Sequence, residues 1–198
     1  MGTSRAGSDN GAGMTDNETK GRSKVNEAYE NIMTRRSIRK YKSDMVEKEL
    51  IDKVVEAGLA APSGKNAQSS SVIVVTDKEM RDKIMDENRR IGGWPEDFDP
   101  FYGAPVILIV IADAANRNSI YDGSCTLENM MLAANALGLG TCWINRARQE
   151  FDTAFGKNIL KQLGIEGEWI GVGHLSLGYP DEEAKTPRVK EGRVYYID

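Results

Sequence analysis

The 198-residue chain has a single histidine, His174. Without a second one no histidine-rich zinc site can be built, and a Ser/His/Asp arrangement has only His174 to draw on. That residue lies inside an apolar run, 170–177, where a core histidine is the plainer reading, and no Gly-x-Ser-x-Gly turn accompanies it. A P-loop and a Gly-x-Gly-x-x-Gly fingerprint are also missing, so an enzyme made from this chain draws its chemistry from a bound cofactor. Cysteine is nearly as scarce. Cys125 and Cys142 form no Cys-x-x-Cys pair, which suits free thiols in a reducing compartment. The longest apolar run, 105–112, is too short to span a bilayer, and the first residues lack the apolar core of a signal peptide. Basic residues number 26 against 30 acidic, a net charge of -4, so the positive field of a nucleic-acid binder is absent. The expectation is a cytoplasmic protein with neither nucleic acid nor membrane as partner.

Residues 1–22 are rich in Gly, Ser, Asn, Asp and Thr and carry almost no large apolar side chains. They cannot offset the entropy of ordering and read as a disordered leader, leaving 23–198 as one domain. Apolar residues at helical spacing predict a helix over 25–35, with Tyr29, Ile32 and Met33 on one face, and another over 47–60, ended by Pro62. A small, polar loop follows at 61–68, then a buried strand at 72–75 and a charged helix at 78–90. Residues 91–102 are irregular, and Trp94, Phe98, Phe101 and Tyr102 within them are either contacts for a flat ligand or rings that pin the loop to the core. The run 105–112 is the strongest strand signal and belongs at the centre of a sheet. A helix over 122–137 is apolar nearly all round, with Met130 and Met131 as core residues. A strand at 141–145, a helix over 149–163 and a strand at 169–177 complete the core pattern; Gly171 and Gly173 mark places where something packs close to the backbone. The polar tail ends in strand composition at 194–197, which needs an edge to pair with, on its own sheet or a partner's.

Arg35, Arg36, Ser37 and Arg39 place three guanidinium groups and a hydroxyl within five residues. Such a cluster is a phosphate clamp in outline, since arginine is permanently charged and presents a planar fork of donors. Taken alone, a solvated charge run at a helix end is the plainer reading.

The order of these segments settles more than any one of them. Helix, RRSIR, helix, APSGKNAQ, strand, GAPVILIVIAD, a long Met/Ala helix, ALGLGTCWI, LGYP and a basic arm together resemble the FMN-dependent nitroreductase family over about 29–197. The resemblance implies an α+β fold with a central, mostly antiparallel sheet flanked by helices, and an intertwined homodimer whose C-terminal strand pairs with the partner. It implies bound FMN and NAD(P)H as transient electron donor, with a ping-pong hydride transfer to nitroaromatics, quinones or similar small, flat acceptors. Position by position, Arg35, Arg36 and Ser37 match phosphate and ribityl contacts, and Arg39 matches a basic position near the flavin N1. Pro62, Ser63, Gly64, Asn66 and Gln68 match the loop that reaches the flavin held mainly by the other subunit. Trp143, Ile144 and Asn145 match the segment along the isoalloxazine ring; Arg188 and Lys190 match further phosphate cations. The chain departs from the pattern after Gln68, where Ser69, Ser70 and Ser71 replace the usual Pro-Trp. Trp94, Phe98, Phe101 and Tyr102 are candidates to cover the flat ligand instead. Two alternatives stand beside this reading: another reaction of the same superfamily, such as reductive dehalogenation or dehydrogenation, and a flavin-binding or storage module with little turnover.

Overall fold

The computed structural model describes residues 26–185 and 189–198; the expected leader at 1–22 lies outside them. Ten elements follow one another: α1 (Glu27–Thr34), α2 (Lys48–Leu59), β1 (Ser70–Val75), α3 (Lys78–Gly92), β2 (Val106–Asp113), α4 (Ser119–Ala136), β3 (Gly140–Ile144), α5 (Ala147–Asp152), α6 (Ala154–Gln162) and β4 (Trp169–Gly178). The strands form one antiparallel sheet in the order β1-β2-β4-β3. The architecture is the α+β arrangement the sequence implies.

An uninterrupted run of Val, Ile and Leu serves both faces of a sheet at once, and β2 does so: Val106 to Ala112 are all fully buried. Leu108 and Val110 point into a core shared with α2 and α4, where Val54, Leu127 and Met130 meet Leu175 and Leu177. Ile107, Ile109 and Ile111 point the other way, toward Ile84 of α3, Phe151 of α5, Ile159 of α6 and the intervening Phe101. Burying each such side chain contributes roughly 1.5–3 kcal/mol. Glycines set how closely the layers approach. A Cβ on Gly58 of α2 would sit 2.4 Å from the Met130 side chain, and one on Gly171 of β4 would sit 2.1 Å from the Ala147 carbonyl oxygen.

His174 is a core residue, as its apolar setting implies. It is fully buried, with Nε2 3.2 Å from the equally buried Glu150 carboxylate and Phe101 edge-on at 5.4 Å. The two groups bring α5 and β4 together without a hydrogen bond between them.

One expectation needs correction, and two apolar surfaces stand exposed. The helix expected over 149–163 is two helices, α5 and α6. Thr153 separates them because it leaves helical geometry (φ -81°, ψ 165°), donates its hydroxyl to the Glu150 carbonyl at 2.7 Å and caps the next helix. Residues 194–197, expected to pair with a sheet edge of their own or of a partner, form no strand in the single chain, and Val194, Tyr195, Tyr196 and Ile197 are exposed. The apolar face of α1 is uncovered as well, since Tyr29, Ile32 and Met33 face solvent and the helix buries no residue. Side-chain amides hold α1 instead, with Asn31 donating to the Leu132 carbonyl at 2.9 Å and Asn135 donating to Asn31 at 2.7 Å. Among the described residues no helix is long and apolar enough to cross a membrane.

Candidate functional site

The segment after α1 runs along the outer edge of β3 as an incipient extra strand. Ser37 pairs in parallel with Thr141, Ile38 donates its N–H to the Thr141 carbonyl at 2.9 Å, and Tyr41 bridges to Pro180. Because side chains alternate along an extended segment, Ile38 turns into the core while Ser37 and Arg39 turn outward. A Cβ on Gly140 would lie 3.0 Å from Ile38, so the glycine at the start of β3 lets the segment dock. Beneath it the Tyr41 hydroxyl donates to the Ile38 carbonyl at 2.7 Å and meets the Ser176 hydroxyl at 2.8 Å, which in turn donates to the Cys142 carbonyl at 3.2 Å. Burial pushes the Tyr41 phenol well above its ordinary range, so this relay stays protonated.

The result is a groove of about 460 Å³ lined by Arg36, Ser37, Arg39 and Lys185 together with Glu182 and Glu183. A second hollow, sharing Arg36 and Glu182, adds Arg35, Gly138 and Leu139 before β3, and Thr141 within it. The cations are not equally free. Arg36 donates to the carbonyls of Met33 (2.7 Å), Lys185 (2.9 Å) and Arg35, so its fork already braces the chain on both sides of the groove. Arg35 is only 3.7 Å from the half-exposed Glu128 carboxylate, a loose pair. The Arg39 side chain has no carboxylate or carbonyl partner among the described residues, whereas its backbone N–H donates to Glu182. Burial raises the Cys142 thiol above its usual range; Arg39, a hydrogen bond from Ser37 and Arg35 pull the other way. Converging guanidinium, ammonium and hydroxyl donors around one concavity fit a phosphate monoester.

The 61–68 loop sits elsewhere. Gly64 to Asn66 make one turn of 3-10 helix, and Lys65, Asn66 and Gln68 all adopt left-handed backbone (φ 56°, 55° and 47°). What holds this strained loop is Asp122 of α4, a buried carboxylate that accepts from the Gly64 N–H at 2.9 Å and from the Ser69 hydroxyl at 3.1 Å. The Ser70 and Thr126 hydroxyls meet at 2.8 Å beside it. Asp122 is one of two acids in a largely apolar helix, and the buried one, whereas Glu128 is half-exposed; an acid in the first turn of such a helix is the sequence signal for this role. Pro62, Asn66 and Gln68 are exposed, Ser63 and Gly64 half-buried, and none of the five lines the arginine groove.

On β3 the pleat separates the three expected ring contacts. Trp143 is 38 % exposed and its indole lies over Gly173, where a Cβ would come 2.5 Å from Nε1. Ile144 points into the core and has only its backbone to offer; Asn145 is exposed. Arg188 lies outside the described residues. Lys190 is exposed and borders a hollow of the tail with Val189 and Val194, not the arginine groove, where Lys185 stands instead.

The aromatic segment divides. Phe101 is fully buried against His174 and cannot cover a ligand. Trp94, Phe98 and Tyr102 form an edge-to-face ladder with centroid separations of 5.1 and 6.3 Å. Its ends rest on two cations, Arg146 at 4.1 Å from the Trp94 ring and Arg39 at 6.0 Å from Tyr102. Arg81 and Asp99 anchor the segment from below: Arg81 pairs with Asp99 and donates to the Ala104 carbonyl, and Asp99 accepts from the backbone N–H groups of Phe101 and Gly103.

Comparison with known proteins adds the following. The family model described as "Nitroreductase family" matches residues 32–179. A protein of Methanothermobacter thermautotrophicus provisionally named NADH dehydrogenase/NAD(P)H nitroreductase is 35% identical over 164 residues, 81% of each chain. FMN reductase [NAD(P)H] of Bacillus subtilis is 30% identical over 194 residues, covering 86% of this chain and 73% of the relative. Among solved structures, a nitroreductase with bound FMN from Bacteroides fragilis superposes with a TM-score of 0.78 at 28% identity, over 88% of this chain and 100% of that one.

Proposed function

The chain belongs to the nitroreductase family, and from that premise we propose that it is an NAD(P)H-dependent FMN oxidoreductase reducing nitroaromatics, quinones or similar flat electrophiles. The observation that carries this reading is the groove beside β3, where Arg36, Ser37, Arg39 and Lys185 converge and Arg35 adjoins. Their donors suit the FMN phosphate. Arg36 supplies a braced guanidinium, Ser37 a hydroxyl and Lys185 a mobile ammonium. Arg39, free of carboxylates on its side chain, supplies positive charge where the reduced ring would be anionic. The backbone of 143–145 at the end of β3 offers an edge for the ring. When bound, FMN supplies the redox chemistry, taking a hydride at N5 from NAD(P)H and passing it to the acceptor. Donor and acceptor use one face in turn, which gives ping-pong kinetics and dispenses with a dinucleotide fingerprint.

The reading includes a homodimer. The loop expected to reach the flavin, 61–68, does not line the arginine groove of its own chain. Apolar side chains of α1 and of 194–197 are exposed in the single chain, surface of the kind that a second copy covers.

Titrating FMN into the apoprotein, with flavin fluorescence as readout, tests the phosphate assignment. Arg36→Ala and Arg35→Ala should each weaken FMN binding about tenfold or more, the loss of one charge-assisted contact, and should leave riboflavin binding nearly as it was. Equal losses for FMN and riboflavin would remove the phosphate from this groove.

A further inference from the structure

We propose that Arg146, stacked on Trp94, is an anion subsite within the acceptor pocket, so that the preferred acceptors are flat electrophiles bearing a carboxylate or similar anion on the ring. The proposal rests on the flavin reading above.

The Trp94 ring is held on two sides. Arg146 lies 4.1 Å above its centroid, and a Cβ on Gly92 would fall within 3.0 Å of three ring atoms. The guanidinium thus occupies one face of the indole, which serves as the rest on which it lies. A guanidinium stacked in this way keeps its N–H donors in its own plane, where a carboxylate is met in bidentate fashion, and it cannot be neutralised by deprotonation. Among the described residues no carboxylate or carbonyl accepts from the Arg146 side chain, although acids are more numerous than bases in the chain. A half-buried, immobilised and unpaired cation is an uncommon use of arginine unless something anionic visits it.

The backbone says the same. Arg146 is left-handed, with φ 82° and ψ 2°, in a position that glycine adopts without strain. The conformation is kept by its surroundings: the Asn145 side chain accepts from the Arg146 N–H at 2.9 Å, and the buried Asn88 amide donates to the Asn145 carbonyl at 3.0 Å. A strained residue that glycine would relieve is retained here as arginine, and its side chain is then pinned by an aromatic ring. The Trp94, Phe98 and Tyr102 ladder extends from this cation to Arg39, so the wall between them is aromatic and its two ends are positive.

Acceptor fits this better than donor. Arg146 directly follows Asn145, in the segment proposed to border the flavin ring, so an anionic group carried on a ring stacked there would be within its reach. Dinucleotide phosphates are many bonds from the nicotinamide.

The test uses the FMN-supplied protein without reductant, and calorimetric dissociation constants for benzoate and for its neutral counterpart benzyl alcohol. The parent should prefer benzoate about tenfold or more, the scale of one charge-assisted hydrogen bond. Arg146→Gln should bring the two constants together, and so should Arg146→Gly, which relieves the left-handed strain and guards against loss of folding. Trp94→Leu, leaving the charge but removing its rest, should lose part of the preference. Steady-state kinetics with 4-nitrobenzoate and 4-nitrobenzyl alcohol should show the same order in kcat/KM. An unchanged benzoate preference in both Arg146 variants, or a rise in KM for NAD(P)H without one for nitrobenzoate, would overturn the proposal. Bleaching of the parent by NAD(P)H is scored separately. Its absence would sink the oxidoreductase reading, whereas the benzoate constants judge the subsite with no electron transfer at all.

Discussion

Asp122 shows how much one side chain can organise. Its carboxylate satisfies the Gly64 N–H and the Ser69 hydroxyl at once, and thereby fixes a loop with three left-handed, non-glycine residues. Asp122→Ala should destabilise the fold by about 1–3 kcal/mol, since two donors lose a buried acceptor. Asp122→Asn, which keeps one acceptor oxygen, should lose less; denaturant titration of the two variants reads the difference, and equal stability of parent and alanine variant would remove Asp122 from this role. Cys142 yields a prediction of opposite character. Its folded-state thiol is raised mainly by burial, so the stability it contributes is complete below the unfolded thiol value of about 8.5 and is lost as pH rises through the higher folded value. At pH 8.5 iodoacetamide should therefore label the exposed Cys125 well before Cys142, as followed by mass spectrometry of the intact protein. Labelling of Cys142 first would mean that the neighbouring arginines outweigh burial.

Elements were legible in the sequence where one physical cause decided them. A run of eight apolar residues could only be a doubly buried strand, and it became the centre of the sheet as β2. The Arg35 to Arg39 cluster was legible for the same reason, because charge and spacing are both local. The break between α5 and α6 was not, since the apolar spacing of Phe151, Phe155, Ile159 and Leu160 continues across Thr153 and only its hydroxyl geometry reveals the cap. Arg146 was invisible for a different reason: its partner, Trp94, is distant in sequence, and a left-handed arginine leaves no mark on composition. The close approach of α5 to β4 was signalled only as a glycine in a strand. That contact is severe enough to predict from: Gly171→Ala would drive a methyl into the Ala147 carbonyl, backbone that cannot step aside, and should lower stability by about 2–3 kcal/mol or prevent folding. A thermal melt unchanged from the parent would mean that the two elements have room to separate.

At the scale of the whole molecule, the polar and apolar surfaces point to different partners. The groove beside β3 gathers three cations around a concavity and keeps a small positive excess over its two acids, Glu182 and Glu183, in a chain of net charge -4. The exposed apolar residues of α1, just before the arginine cluster, and of the tail gain nothing from a small anion. One surface suits a phosphorylated cofactor, the other a second copy of the chain, and the proposed enzyme needs both. The most direct measurement of its central claim is the visible spectrum of the purified, FMN-supplied protein, recorded anaerobically before and after NADH or NADPH. A flavin spectrum that bleaches with either donor and returns on adding a nitroaromatic or quinone is the predicted result. Protein that takes up no FMN, or whose bound flavin neither donor bleaches, would contradict it.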